Sequence, residues 1–243
     1  MDAPELGRAQ GVPAFAVALA GLAAVAYSTF LLEHLLSPDI DVVNSYVSEL
    51  SAVDQPYHAV YSGGDFVTGV LTIAVALVAL RGTPRAGPGL RWAVTGWILL
   101  ALFGLCAVGD AVFPLDCAPS LESGCALRER SGNVSFSHEF HAVTSSLVIA
   151  FGVAALAALA VAARRHGRWP ALARWGLPLA AVETALALAT MAAMVEGRWL
   201  GIIQRGQIAV LVLGLLTVTW ALVQERRAAR RRAVPPPPER AQL

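Results

Sequence analysis

Leu147-Val148-Ile149-Ala150-Phe151-Gly152-Val153-Ala154-Ala155-Leu156-Ala157-Ala158-Leu159-Ala160-Val161-Ala162-Ala163, closed by Arg164-Arg165, is the stretch that decides the fold class. It is apolar without the polar alternation of a half-buried strand, and it stops at a pair of charges. A bilayer core of about 30 Å needs about 20 such residues in a helix. His138–Ala163 meets that need, and so do Val12–Leu36, Tyr57–Leu80, Leu90–Phe113, Leu172–Val195 and Gln207–Val223. Backbone groups in lipid must bond internally, so unalternating runs of this length become helices. The whole chain agrees: 243 residues, 56% hydrophobic and 14% charged, with mean hydropathy +0.61. A soluble domain carries about 25% charge, so a water-soluble globule is excluded. The same apolar excess excludes disorder over most of the chain. The first span is too long, and lacks a small-residue cleavage site before His34, to be a signal peptide. The expectation is an all-α, polytopic bundle of six transmembrane helices.

Orientation follows from where Arg falls, since the chain has no Lys. Arg81, Arg85 and Arg91 join spans two and three, and Arg164, Arg165, Arg168 and Arg174 join spans four and five. The end of the chain adds Arg226, Arg227, Arg230, Arg231, Arg232 and Arg240. Only Arg128, Arg130, Arg198 and Arg205 fall on the opposite side, where most acids gather. Basic loops stay inside, so both termini are expected in the cytoplasm of a multi-pass protein of the inner or plasma membrane. The domain plan is a lead over 1–11, a membrane domain over 12–224 and a basic, Pro-rich tail over 225–243. The outward loops run over about 37–56, 114–137 and 196–206. Pro235–Pro238 favours an extended segment without a core.

Cys117 and Cys125 share an outward loop, and an oxidising compartment favours a disulfide between them. Cys106, inside the third span, reads as a small buried apolar residue. Four of the five His, namely His34, His58, His138 and His141, fall near the outer surface. Asp65 lies about two turns into the second span, Asp110 at the outer end of the third, and Asp116 in the loop beyond it. Gln204, Arg205 and Gln207 stand at the same level on the sixth. Ionisable groups at membrane depth normally face a bundle interior or a wet cavity. The expected feature is an outward polar pocket drawn from Ser48, Glu49, His58, Asp65, Asp110, Asp116, His138, His141 and Arg205, with Asp110 the first partner for Arg205. The competing reading is a set of ion pairs and caps at helix ends. Glu183 stands alone near the middle of the fifth span, either hydrogen-bonded to a neighbour or lining a pathway.

His138 and His141 are three apart, not the four of a zincin helix. With His58, and Asp65 or Asp110 completing the set, they form a candidate zinc site whose bound water would hydrolyse a lipid ester or amide. No cofactor other than this candidate zinc is indicated. Nucleophile elbows, phosphate-binding glycine loops and dinucleotide fingerprints are absent from the sequence. No basic face for nucleic acid exists outside the tail. The loop Ser37–Pro56 is rich in capping residues and reads as a lid on the outer mouth, with Tyr46 suited to an interface.

Ser45-Tyr46-Val47-Ser48-Glu49-Leu50, Asp65, the run Asp110-Ala111-Val112-Phe113-Pro114-Leu115-Asp116-Cys117-Ala118-Pro119, and His141-Ala142-Val143-Thr144-Ser145-Ser146 carry a family likeness. From the first span to the sixth, the chain resembles the actinobacterial branch of a bacterial six-helix membrane family catalogued as domain of unknown function 998. That family is similar in layout to the Frag/DRAM/Sfk group of eukaryotic membrane proteins. The resemblance implies lipid as the partner class and leaves protein partners open. Alkaline ceramidases bind zinc through Ser, Asp and three His, but this chain has fewer helices and no His-x-x-x-His pair, so that site is not carried across. The functional expectation is recognition or movement of a lipid or small ligand in the outward pocket. The alternatives are a metal-dependent hydrolase and a partner-binding subunit acting through its tail and loops.

Overall fold

Lipid offers no partner for a free N–H or C=O, so each apolar run must close its own hydrogen bonds. The computed structural model describes residues 12–83 and 86–233, and among these there is no strand. The helices are α1 (Ala14–Ala26), α2 (Glu33–Leu36), α3 (His58–Gly82), α4 (Leu90–Val112), α5 (Ser123–Arg130), α6 (Phe136–His166), α7 (Pro170–Glu196) and α8 (Leu200–Ala233). Two 3-10 turns, Thr29–Leu32 and Val47–Ser51, complete the set. α3, α4, α6, α7 and α8 are each long and apolar enough to cross a membrane. α1 and the Thr29–Leu36 segment together form a sixth span, bent by 41°. The expected single helix over Val12–Leu36 is thus divided at the bend. Ser28 causes it locally: its hydroxyl donates to the Ala24 carbonyl at 2.8 Å and competes with the helix ladder.

The six spans stand in a closed ring. α1 packs on α3, α3 on α4, α4 on α6, α6 on α7, α7 on α8, and α8 returns to α1. An even number of crossings brings the two ends of the described chain together, where Arg226 donates to the Val12 carbonyl at 3.3 Å. Trp97, Phe103, Leu159, Leu172 and Leu222 fill the interior, whereas Leu22, Val70, Leu105, Leu188 and Met191 face outward and exposed. An apolar skin of this extent fits lipid and not water. Lipid gives helices no hydrophobic reason to associate, so cohesion relies on close packing of small residues. At the α3–α4 crossing a methyl group on Gly104 would lie 2.7 Å from the Gly69 carbonyl, and one on Gly69 would press on the Gly104 carbonyl.

The ends of the ring differ. At one, Arg165, Arg168, Arg174 and Arg227 sit 5.1–5.8 Å from the rings of Trp92, Trp169, Trp175 and Trp220. Tryptophan with Arg at a helix end is a membrane-interface pattern. The other end carries the long connections around 37–57 and 113–135. α8 outlasts the expected span, continuing through Ala233 because Ala and Arg are strong helix formers. It also starts at Leu200, ahead of the expected Gln207. Residues 1–11 and the Pro235–Pro238 run, with Arg8, Arg85 and Arg240, lie outside the described residues.

Gly69→Val forces α3 from α4. The expected outcome is a loss of about 1–3 kcal/mol, the usual cost of overpacking, read as a lower melting temperature of the detergent-purified protein.

Candidate functional site

Arg205 is 8% exposed, one turn into α8. A guanidinium at that depth needs a countercharge and acceptors for its other donors. Glu33, itself 3% exposed at the start of α2, supplies the charge in a two-pronged pair: Nε to Oε1 at 2.8 Å and Nη2 to Oε2 at 2.5 Å. Nη1 donates to the Ser45 carbonyl at 3.1 Å. Gly201, one turn earlier, makes room for this approach; a methyl group there would stand 2.6 Å from the carbonyls of both Val42 and Ser45. The Ser37–Pro56 connection therefore rides on α8. Further ties hold it: Ile202 N–H to the Val43 carbonyl at 3.2 Å, Val47 N–H to Gln204 Oε1 at 3.0 Å, and Trp199 N–H to Asn44 Oδ1 at 3.0 Å. The expected Arg205–Asp110 pair does not form, because Glu33 takes the guanidinium.

Glu49 is fully buried in the second 3-10 turn. Its Oε1 accepts the Tyr46 N–H at 3.4 Å, and its Oε2 accepts the Ser120 hydroxyl. Ser120 also meets Ser45 Oγ at 2.8 Å, and the Val53 N–H reaches the Leu115 carbonyl at 3.0 Å, so the two long connections bind each other. Burial raises the Glu49 carboxyl above its ordinary value, and the Ser120 and Tyr46 bonds only partly offset this. Cys117 and Cys125 are joined by the expected disulfide, with Cα atoms 6.0 Å apart, which ties α5 to the connection.

Asp116 accepts the Ser135 N–H at 2.7 Å and its hydroxyl at 2.5 Å, just before α6. Partial desolvation would raise its carboxyl, but these Ser135 bonds prevail and hold it below its ordinary value. The Asp116 N–H donates to His138 Nδ1 at 3.2 Å, which leaves the ring proton on Nε2, 3.6 Å from Glu129. His141 takes the opposite tautomer: its Nδ1 lies 2.8 Å from the Phe113 carbonyl, and a carbonyl only accepts. Its Nε2 is then a bare acceptor, buried and unpartnered. Asp110, on α4, receives the Thr144 hydroxyl and, at 3.0 Å, the Ser145 hydroxyl, and lies 3.9 Å from His141.

Between these groups lies a cavity of about 120 Å³. Ser48, Asp65, Asp110 and His141 line it. Glu49, Asp116, His138 and Arg205 do not; they brace its walls and lid. His58 is in neither group. Tyr27, Tyr61, Ser51 and Ser145 also line the cavity, as does Gln207, and none of these was in the expected set. Gln207 extends the polar lining inward: it accepts the Thr190 hydroxyl at 2.5 Å and donates to Glu183 at 3.4 Å. Glu183 is thus the hydrogen-bonded of its two expected forms. The candidate zinc set is not assembled. His58, His138 and His141 stay apart, and no group of three His, Cys, Asp or Glu placed for a metal occurs among the described residues.

A family model described as Protein of unknown function (DUF998) matches residues 11–221, which spans all six crossings and every residue of this site. The chain belongs to the DUF998 family. No curated protein and no solved structure matches it. In this DUF998 protein the first connection is thus held to the bundle by one buried ion pair and a group of backbone bonds.

Arg205→Met strands Glu33, and Glu33→Leu strands Arg205. Each is expected to cost about 3–5 kcal/mol, whereas the double variant recovers much of that loss, since the pair's desolvation cost goes with it. A double-mutant cycle on thermal unfolding in detergent reads the coupling. Two carboxyls set opposite pH responses. Asp116, held low, stabilises fully above its ordinary value of 3.8 and loses this as pH falls through its folded value. Asp116→Asn is therefore expected to lose less stability on acidification than the parent. Glu49, held high, favours the neutral acid; its contribution is full below 4.5 and fades as pH rises through its folded value. Glu49→Gln is expected to flatten that second decline in melting temperature.

Proposed function

We propose that the protein binds a lipid headgroup or a small polar ligand in the cavity lined by Tyr27, Asp65, Asp110 and His141, at the outward end of a plasma-membrane bundle with cytoplasmic termini. The observation that carries this reading is the cavity itself. Its volume of about 120 Å³ is several times the roughly 10–15 Å³ that one water requires. Its lining mixes aromatic and aliphatic walls with a few convergent polar groups, the usual composition of a ligand site. The outward orientation is supported by the crowding of Arg and Trp at the opposite end. A disulfide in the second long connection also suits an oxidising compartment. In this reading residues 12–224 are the working membrane domain, with short polar segments on either side. Hydrolysis has less support, because it needs a metal set the fold does not bring together.

Filling the cavity tests the reading. Protein purified in mild detergent is expected to retain a small molecule or lipid detectable by native mass spectrometry, and added total membrane lipid is expected to raise its melting temperature. Ile149→Trp and Ile208→Phe, both at cavity-lining positions, should abolish retention and shift while the variants stay folded. Retention undiminished in both folded variants would place the ligand elsewhere and defeat the proposal.

A further inference from the structure

α8 is longer than a membrane requires. Its 34 residues cover about 50 Å at the helical rise, whereas the hydrocarbon core is about 30 Å thick. Leu200 to Trp220 already accounts for that thickness, and the surplus carries Arg226, Arg227, Arg230, Arg231 and Arg232. These arginines do not share one role. Arg226 is half-buried and donates to the Val12 carbonyl, and the neighbouring acid, Glu225, turns inward to Arg168 and Trp169. Arg227, Arg230, Arg231 and Arg232 are exposed, and none has an ion-pair partner among the described residues. Two of them continue a particular face. Leu213, Leu216 and Trp220 are exposed along one side of α8, and steps of seven and then four residues from Trp220 carry that side on to Arg227 and Arg231. The stripe that meets hydrocarbon is therefore the stripe that bears charge just beyond it. Helical side chains lean toward the helix N-terminus, which for α8 is toward the membrane, and Arg227 accordingly stands 5.2 Å from the Trp220 ring. Arg174 over exposed Trp175 and Arg165 over exposed Trp92 repeat the arrangement at the same end of the ring.

We propose that this face of α8 binds anionic phospholipid in the adjoining leaflet. The Arg227 and Arg231 guanidinium groups meet the headgroup phosphate, whose oxygens match their fork of donors. Trp220 sits at the level of the interface, and Leu213 and Leu216 line the acyl chain below. A phosphatidylcholine headgroup fits less well, because its own ammonium cancels the phosphate charge. A soluble polyanion such as nucleic acid has no use for the apolar stripe and would draw on all four exposed arginines alike. The site lies at the opposite end of the ring from the cavity and does not rest on the cavity reading.

The test equilibrates the full chain in nanodiscs holding equal amounts of phosphatidylcholine and phosphatidylglycerol. Lipid retained on extraction into mild detergent is read by native mass spectrometry, with melting temperature as the check on folding. The parent is expected to retain phosphatidylglycerol about tenfold over phosphatidylcholine, and to lose this preference in high salt, which screens exposed charges. Arg227→Gln with Arg231→Gln is expected to reduce the preference about fivefold or more, on the usual contribution of an Arg beside an anionic surface. Arg227→Lys with Arg231→Lys should keep most of it. Arg230→Gln with Arg232→Gln makes the same change in charge away from the stripe, and is expected to reduce it about twofold at most. Equal loss in the two Gln variants means attraction to the charge of the tail without a lipid-facing site, and overturns the proposal. So does a parent that retains both lipids equally. A preference that survives every arginine variant but disappears in Ile149→Trp assigns the lipid to the cavity, which overturns this site and supports the other reading.

Discussion

The Arg205–Glu33 pair is the constraint on which the outer half of the structure depends. Neither charge can stay buried alone, so each fixes the other, and their elements are fixed with them. Glu33 reaches Arg205 because the first span bends at Ser28 and turns α2 toward α8. Its remaining nitrogen, Nη1, donates to the Ser45 carbonyl and draws the first connection over the ring. Gly201 permits this approach, and Gln204, one residue before Arg205, adds the bond to Val47. The lid, the bend and the pair form one device, and the cavity is the space it encloses.

Below that level different physics holds the ring. Helices surrounded by lipid gain nothing from hiding leucine, so contact depends on how closely backbones approach. The facing glycines at 69 and 104 serve that purpose between α3 and α4, and Gly96 does so where Leu159 of α6 packs against α4. Trp97 and Phe103 fill the space left inside. Polar groups in such a ring gain by pairing, as in the Thr190–Gln207–Glu183 chain running from the cavity toward α7.

The spans were legible because long unalternating apolar runs admit one solution in lipid, and the disulfide because its two cysteines share a short loop. Asp65, Asp110 and His141 were grouped from their common depth, and Ser48 from the first outward loop. The Arg205 partner was not: Glu33 lies 172 residues away, and depth along a helix does not say which way a bent segment turns. His58 illustrates the same limit, since it matches His138 in level but lies apart from the cavity. Tyr27 and Tyr61 read as ordinary apolar positions until the ring closed around them. The sequence expectation also ended the sixth helix too early, because apolarity was the only signal used and the Ala/Arg stretch stays helical without it.

The division of labour among the polar residues follows from their partners. Glu49, Asp116 and Arg205 find partners in the side chains and backbone of the connections, and such networks hold shape. Asp65 and His141 line the cavity, and Asp65 has no hydrogen-bond partner among the described residues. Unmet bonds are spread along the bundle, at Ser62, Thr72, Trp97, His138, His141 and Glu183, and of these only His141 lines the cavity.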